Sequence, residues 1–197
     1  MTQTSVLITG AARRLGKATA LAFARRGCKI ALHYNHSAGD AQLLQQQINQ
    51  IDGANCILLS GDLSDSETSG ALIKQSIEEF GRLDHLVNNA SVFYPTPIQE
   101  LSDDQLTKTL SINYDSPRQL ALLAQAYLSQ TQGSIINLLD IYAQSGHAEH
   151  SAYVASKAAL SALTQELAKA FAPNVRVNGV APGAILWPSE NEQQLDA

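Results

Sequence analysis

Short apolar segments alternate with amphipathic segments along the whole chain. Six apolar segments bounded by turn residues have strand character: residues 5–9, 29–33, 55–60, 83–88, 134–139 and 175–180. Helical spacing of apolar residues occurs at 15–26, 41–51, 66–80, 103–129 (with a break near Pro117) and 151–171. Nearly continuous apolar strands that alternate with helices are typical of a parallel sheet covered on both faces. We therefore predict a single-domain α/β fold with a doubly wound parallel sheet.

Composition narrows the classes of protein to consider. With 197 residues, 45% of them hydrophobic, the chain can bury the core of one domain. Its 13 basic and 18 acidic residues give a net charge of −5 and are interspersed, which argues against a nucleic-acid binder. The apolar runs are much shorter than the roughly 20 residues needed to span a bilayer. The chain begins almost at once with a strand-like segment and without a signal-peptide pattern, so we expect a cytoplasmic protein with no membrane partner.

The two cysteines, Cys28 and Cys56, lie inside or beside apolar segments. They show neither CxxC spacing nor nearby histidines. We therefore predict two buried free thiols and no metal site.

The turn after the first strand is rich in small residues and leads directly into a helix. In residues 9–16, Gly10 permits a tight turn and Gly16 allows the helix to pack closely on the strand. Arg14 occupies the position at which a dinucleotide-binding loop has its middle glycine. The following helix N-terminus offers free N–H groups to a pyrophosphate. The pattern favours a dinucleotide site, although an ordinary Gly-rich turn would look similar.

The residues that follow the second and third strands indicate which dinucleotide, NADH or NADPH, would bind. An NAD enzyme usually has an acid after its second strand, whereas here the first acid is Asp40. A 2'-phosphate would therefore meet no repulsion, and Arg14, Ser37 and a protonated His36 could donate to it, which favours NADPH. Asp62, after the third strand, would accept a hydrogen bond from the adenine amine or cap the next helix.

The fourth and fifth strands also end in polar residues. Residues 88–91, Asn-Asn-Ala-Ser, could meet a ribose or simply form a turn. Tyr153 and Lys157 are four residues apart in a predicted helix and so share one face. A nearby ammonium favours the ionised form of a phenol, which suits proton transfer. Asp140, directly after the fifth strand, adds a carboxylate to this pair.

Together these motifs resemble the short-chain dehydrogenase/reductase family, which has a Rossmann fold, over essentially the whole chain. The resemblance implies that Lys157 bonds the nicotinamide ribose and assists Tyr153, and that Asn113, which would otherwise pass for a helix-terminus residue, holds a water in the proton path. The cofactor-binding residues that it implies are Gly10, Arg13, Arg14, Leu15, Gly16, His33, Tyr34, His36, Ser37, Asp62, Leu63, Asn89, Ala90, Ser91, Tyr153, Lys157, Pro182 and Gly183.

Two departures from the common family pattern are similar to the pteridine reductase branch. Asp140 replaces the usual serine and Arg14 replaces a glycine, although His36 stands where that branch usually has arginine. By this resemblance Phe93 stacks on a pterin ring and Trp187 lies at the rim of its site. As an alternative, Phe93 and Tyr94 would be loop aromatics that pack over the sheet. The implied substrate-binding residues are Arg14, Ser91, Phe93, Asp140 and Tyr153.

We therefore expect an NADPH-dependent reductase acting on the C=N bond of a dihydropterin or dihydrofolate. A ketone reductase of the same family is the first alternative; Asp140 argues against it because an ionised carboxylate is a poor donor to a carbonyl oxygen. A non-catalytic NADP-binding sensor or scaffold is the second, and the intact Tyr153 and Lys157 argue against it. The resemblance also implies a homotetramer with residues 151–171 at an interface. The chain is expected to lack the usual C-terminal substrate helix and last strand.

Overall fold

The computed structural model describes residues 3–183. Its centre is one six-stranded sheet, in which every pairing is parallel and the strand order is β3-β2-β1-β4-β5-β6. The strands are β1 (Ser5–Ile8), β2 (Lys29–Tyr34), β3 (Asn55–Ser60), β4 (His85–Asn88), β5 (Ser134–Leu138) and β6 (Arg176–Val180). The doubly wound parallel sheet predicted from the sequence is confirmed.

Helices connect successive strands. They are α1 (Arg14–Ala24), α2 (Ala38–Asn49), α3 (Ser66–Phe80), α4 (Asp103–Leu110), α5 (Ser116–Thr131), α6 (Tyr142–Ser145) and α7 (Ser151–Phe171). A π-helical turn, Ser111–Asp115, joins α4 to α5.

Buried apolar residues form one cluster on each face of the sheet. Along β1, Leu7 belongs to one cluster, whereas Val6 and Ile8 belong to the other, as the alternation of a strand requires. The Leu7 cluster includes side chains from α3, α5 and α7, and the Val6 cluster includes side chains from α1 and α2. Both faces of the sheet are therefore covered, which explains its nearly continuous apolar strands.

The order of the sheet determines where a ligand can bind. β1 pairs with β2 on one side and with β4 on the other, so the direction of chain progression reverses between β1 and β4. In open α/β sheets ligands bind beyond the carboxyl ends of the strands at such a reversal. The turns after β1, β2 and β4 therefore border the expected site.

The main differences from the sequence prediction lie in the helices. α2 begins at Ala38, before the predicted 41–51, and α6 was not predicted. The long segment 103–129 is interrupted by the π-helical turn that precedes Pro117. Pro117 itself lies in the first turn of α5, directly after the π-helical turn.

Other sequence predictions concern the cysteines, metals and membranes. Cys28 and Cys56 are both buried and free, as predicted. Within residues 3–183, no cluster of three or more His, Cys, Asp or Glu side chains is arranged to hold a metal ion. In the same range no helix has the length and apolar character needed to cross a bilayer.

Candidate active site

The turn between β1 and α1 brings backbone close to backbone. Gly10 has a left-handed φ of +60°, and a Cβ there would lie 2.8 Å from the Ala90 Cα. A Cβ on Gly16 would lie 2.3 Å from the Gly10 carbonyl oxygen. The side chain of Arg13, the N-cap residue of α1, makes no capping hydrogen bond within the described chain. The two glycines therefore let the turn pack closely against the start of α1 and the loop after β4, and the first N–H groups of α1 have no capping side chain, as an anion site at a helix N-terminus requires.

The end of β4 holds this turn from one side. The Asn89 side-chain amide donates to the carbonyl oxygens of Thr9 and Gly10, both at 2.9 Å. The backbone N–H groups of Asn89 and Ala90 both donate to the Thr9 hydroxyl at 3.0 Å. The polar residues after β4 thus shape the turn directly, and Thr9 is a contributor that the sequence analysis missed.

The end of β2 holds the turn from the other side. His33 is 1% exposed, and its ring lies between the Gly10 N–H and the Gly61 carbonyl oxygen. Asp40, the first acid after β2, is paired with Arg13 at 2.7 Å. Tyr34 is half-buried, and His36 is exposed beyond the strand.

Asp62 does not cap the next helix, so one of the two alternatives left open by the sequence is wrong. Its Oδ1 accepts from the backbone N–H and the hydroxyl of Ser64, at 2.9 and 2.8 Å, and these bonds lower the pKa of Asp62. Asp65 caps α3 instead, because its side chain accepts from the Glu67 N–H at 3.0 Å. The neighbouring Leu63 is buried in the core.

Asp140, Tyr153 and Lys157 come together where β5 ends and α7 begins. The Tyr153 hydroxyl donates to Asp140 Oδ2 at 2.7 Å. Asp140 Oδ1 accepts from the Tyr142 N–H at 2.9 Å, so the start of α6 orients the carboxylate. Lys157 Nζ donates to the Leu138 carbonyl oxygen at 2.7 Å and lies 5.6 Å from the centre of the Tyr153 ring. The predicted common face of Tyr153 and Lys157 is present.

The pKa of Tyr153 differs from the sequence expectation. Burial raises the pKa of Tyr153, and the hydrogen bond to Asp140 and the charge of Asp140 raise it further. Burial lowers the pKa of Lys157 to about 8, against the opposing charge of Asp140. We had expected the ammonium to favour the phenolate; the adjacent carboxylate and the loss of solvent outweigh it here. Tyr153 therefore remains a protonated donor.

Asn113 lies in the π-helical turn and is fully buried. Its Oδ1 accepts from the Val92 N–H at 2.9 Å, and its Nδ2 donates to the Val92 carbonyl oxygen at 3.1 Å and to the Ser156 hydroxyl at 3.0 Å. Both amide protons are thus engaged. The side chain ties the loop after β4 to α7, one turn from Tyr153.

Phe93 lies beside Tyr153. Its ring stacks on His150 with 4.1 Å between centroids and a 2° interplanar angle, and it meets Tyr153 nearly at right angles at 4.7 Å. His150 in turn contacts His147 at 4.5 Å between ring centroids. The Phe93 ring remains 48% exposed. Sequence reasoning missed both histidines, whose only signal was their position just before Tyr153.

The remaining predicted residues lie at the edge of this site. Ser91 is exposed in the loop after β4, and Gly183 is exposed after β6. Leu15 and Pro182 line the same apolar cavity of about 410 Å³, with Val87 and Leu138. Trp187, predicted for the rim of the substrate site, lies outside the described residues.

The fold and the Asp140–Tyr153–Lys157 arrangement define a class of protein. The chain belongs to the short-chain dehydrogenase family, whose family model matches residues 4–196.

Individual relatives can be compared with the chain. It is 34% identical over 184 residues to general stress protein 39 of Bacillus subtilis (strain 168). The match covers 92% of this chain and 64% of that protein. The chain therefore spans less than two thirds of the length of that relative. It is also similar to the crystal structure of FolM alternative dihydrofolate reductase 1 from Brucella suis in complex with NADP, with 33% identity, a TM-score of 0.87 and coverage of 96% of this chain and 78% of that one. For the Brucella canis FolM complexed with NADP, the identity is 33%, the TM-score 0.89 and the coverage 99% and 77%.

Proposed function

We propose that the protein is an NADPH-dependent reductase that reduces a C=N bond of a dihydropterin or dihydrofolate. The observation that carries this proposal is the 2.7 Å hydrogen bond from the Tyr153 hydroxyl to the Asp140 carboxylate. The pair places a proton donor and a proton acceptor side by side at the carboxyl edge of the sheet. This arrangement suits delivery of a proton to a ring nitrogen.

The turn after β1 fits a dinucleotide. The close approaches at Gly10 and Gly16 hold the turn tightly against the start of α1, whose first N–H groups have no capping side chain and can donate to a phosphate. The two Brucella FolM structures that the chain resembles contain NADP. When bound, the nicotinamide cofactor supplies the hydride. The residues proposed to hold it are those predicted from the sequence except His33, which acts through its bond to the turn; Asn89 also holds the turn.

A preference for NADPH over NADH follows from the charges after β2. Asp40 is already paired with Arg13, which offsets the nearest carboxylate on that side. Arg14 and His36 are exposed and Ser37 is half-buried, so they are accessible to a 2'-phosphate. A charge-assisted hydrogen bond to a phosphate contributes roughly 1.5–3 kcal/mol.

The catalytic residues divide the proton transfer between them. Tyr153 is the donor, because its raised pKa keeps the hydroxyl protonated. Asp140 accepts from that hydroxyl and can relay a proton to it or to the substrate nitrogen. The Lys157 ammonium lies 5.6 Å from the phenol ring, where its charge stabilises the phenolate left after transfer. Asn113 holds the loop after β4 against α7 with both of its amide protons engaged, so a water that restores the proton would have to donate to an oxygen of this residue.

The substrate class follows from Phe93 and Asp140 together. A flat heteroaromatic ring can lie against the exposed part of Phe93 while its nitrogens meet Asp140 and Tyr153. Ser91 and Arg14, also exposed, are the further proposed substrate contacts. A simple ketone would use neither the aromatic surface nor the carboxylate. The name of the Brucella neighbours, alternative dihydrofolate reductase, agrees with this class.

The test is NADPH oxidation by the protein with dihydropterins, dihydrofolate and simple ketones. We expect turnover of at least one dihydropterin or dihydrofolate to exceed that of every ketone. Phe93→Ala should raise the pterin KM by roughly fivefold, since a lost aromatic contact costs on the order of 1 kcal/mol, and Asp140→Ser should shift preference toward ketones. Ready reduction of ketones with no pterin activity would favour the ketone reductase. NADPH binding without any turnover would favour a sensor or scaffold.

A homo-oligomer, expected to be a tetramer, belongs to the same proposal. α5 leaves the side chains of Leu122, Leu123 and Tyr127 exposed by 52%, 46% and 36%, and such an exposed apolar face favours contact with another copy of the chain. α7, expected at the interface, packs against α5. Sedimentation equilibrium measures the oligomeric state directly, and a monomer at micromolar concentration would refute the proposed homo-oligomer.

A further inference from the structure

His33 makes a set of contacts that the catalytic scheme does not use. The Gly10 N–H donates to its Nδ1 at 3.2 Å, and its Nε2 lies 3.0 Å from the Gly61 carbonyl oxygen. Its backbone carbonyl accepts from the Ala11 N–H at 2.9 Å. One buried residue on β2 thus joins the turn after β1 to the end of β3.

The two ring contacts determine the protonation of the imidazole. A backbone N–H can only donate, so the Nδ1 that faces Gly10 must carry a lone pair. A backbone carbonyl oxygen can only accept, so the Nε2 that faces Gly61 must carry the proton. The ring is therefore the neutral Nε2–H tautomer. Burial agrees, because it lowers the pKa of His33 against the opposing effects of the Gly61 carbonyl and Asp62.

The position of Gly10 explains why this contact matters for binding. Gly10 has no side chain to restrict its backbone, and its φ of +60° is one of several conformations open to glycine. Asn89 and Thr9 hold the turn from the β4 side, and His33 supplies the bond from the β2 side. A turn held on both sides keeps the N–H groups at the start of α1 preorganised for a phosphate.

We propose that His33 is a positioning residue for the dinucleotide cofactor, which presets the turn through Gly10 in its neutral Nε2–H form without contacting the cofactor itself. This inference rests on the proposed NADPH function. It assigns His33 a role different from that of His36, which is exposed after β2 and is proposed above to donate to the 2'-phosphate.

The first test compares two substitutions by titrating NADPH against cofactor-free protein. His33→Leu leaves the Gly10 N–H and the Gly61 carbonyl without partners, so we expect NADPH Kd to rise about tenfold or more, with kcat at saturating NADPH within about threefold. His33→Gln can accept at Gly10 and donate at Gly61, so it should bring Kd back to within about threefold of wild type. His85→Gln is the matched control, because His85 is another partly buried strand histidine at the opposite end of the sheet.

The second test reads the tautomer directly from ¹⁵N NMR of the imidazole nitrogens, with the His33 signals assigned by their loss in His33→Gln. We expect an unprotonated Nδ1 and a protonated Nε2 in the cofactor-free protein at neutral pH. An Nδ1–H tautomer or an imidazolium would overturn the inference, as would an unchanged NADPH Kd in folded His33→Leu. If the leucine variant does not fold, His33→Asn, whose shorter side chain cannot span both partners, replaces it with the same expected loss.

The two tests separate this inference from the function on which it rests. A wild-type protein that binds no NADP(H) would refute the proposed function and with it the positioning role. Tight NADPH binding that is insensitive to His33 would refute the positioning role alone.

Discussion

Replacing Lys157 by methionine should leave the protein almost as stable at pH 7 while removing its activity. Lys157 is 3% exposed, and burial lowers its pKa from 10.5 to about 8, which corresponds to a penalty of about 3 kcal/mol on the charged form. Methionine removes that penalty but deprives the Leu138 carbonyl oxygen of the ammonium as a hydrogen-bond donor, which costs roughly 1–3 kcal/mol. Methionine retains most of the side-chain volume. We therefore expect the free energy of unfolding at pH 7 to change by less than about 1.5 kcal/mol, whereas truncating a core side chain typically costs about 2–5 kcal/mol.

The sharper test is how the difference in the free energy of unfolding between the wild type and Lys157→Met changes with pH. Because the folded pKa lies below the unfolded one, the contribution of Lys157 to stability is fully present above the unfolded pKa and is lost as pH falls through about 8. Between pH 7 and pH 9.5 the wild type should gain about 2 kcal/mol relative to Lys157→Met. Other titrating groups contribute to both proteins and cancel in the difference.

Urea unfolding of cofactor-free protein at several pH values between these limits measures the effect. Lys169→Met is the control, because Lys169 is exposed on the same helix, α7, and its substitution should give a difference that is flat with pH. A flat difference for Lys157→Met, or one that favours the variant as pH rises, would refute the assignment of a buried ammonium with a lowered pKa.

The other predictions concern binding and turnover. Arg14→Ala should weaken NADPH binding roughly tenfold and leave NADH binding nearly unchanged, as measured by titration of both cofactors. Equal losses for the two cofactors would show that Arg14 does not contact the 2'-phosphate. Gly16→Ala places a methyl group 2.3 Å from the Gly10 carbonyl oxygen, so it should abolish detectable NADPH binding, and wild-type affinity in that variant would contradict the geometry of the turn. Tyr153→Phe should bind NADPH normally and lose at least about 100-fold in kcat, whereas full activity would show that another group carries the proton.

The apolar segments and the polar turns that follow them could be predicted from the chain alone. Strand and helix periodicity depends on neighbours within a few residues, so the six strands were found with only small errors at their ends. The positions of Tyr153, Lys157 and Asp140 relative to those elements followed in the same way. The π-helical turn at Ser111–Asp115 was not predicted, since its hydrogen bonds span five residues instead of the four of an α-helix and leave little trace in the apolar spacing.

The tertiary structure decided which of these residues act on one another. Phe93 and His150 are 57 positions apart and stack only because the loop after β4 and the start of α7 meet above the sheet. His33 and Gly10 meet only because β1 and β2 are adjacent and in register. The pKa of Tyr153 moved opposite to the local expectation, since desolvation depends on every element packed around a group. Local spacing along a chain specifies which side chains can share a face, whereas strand order and burial determine the partners and the charge states that those side chains have.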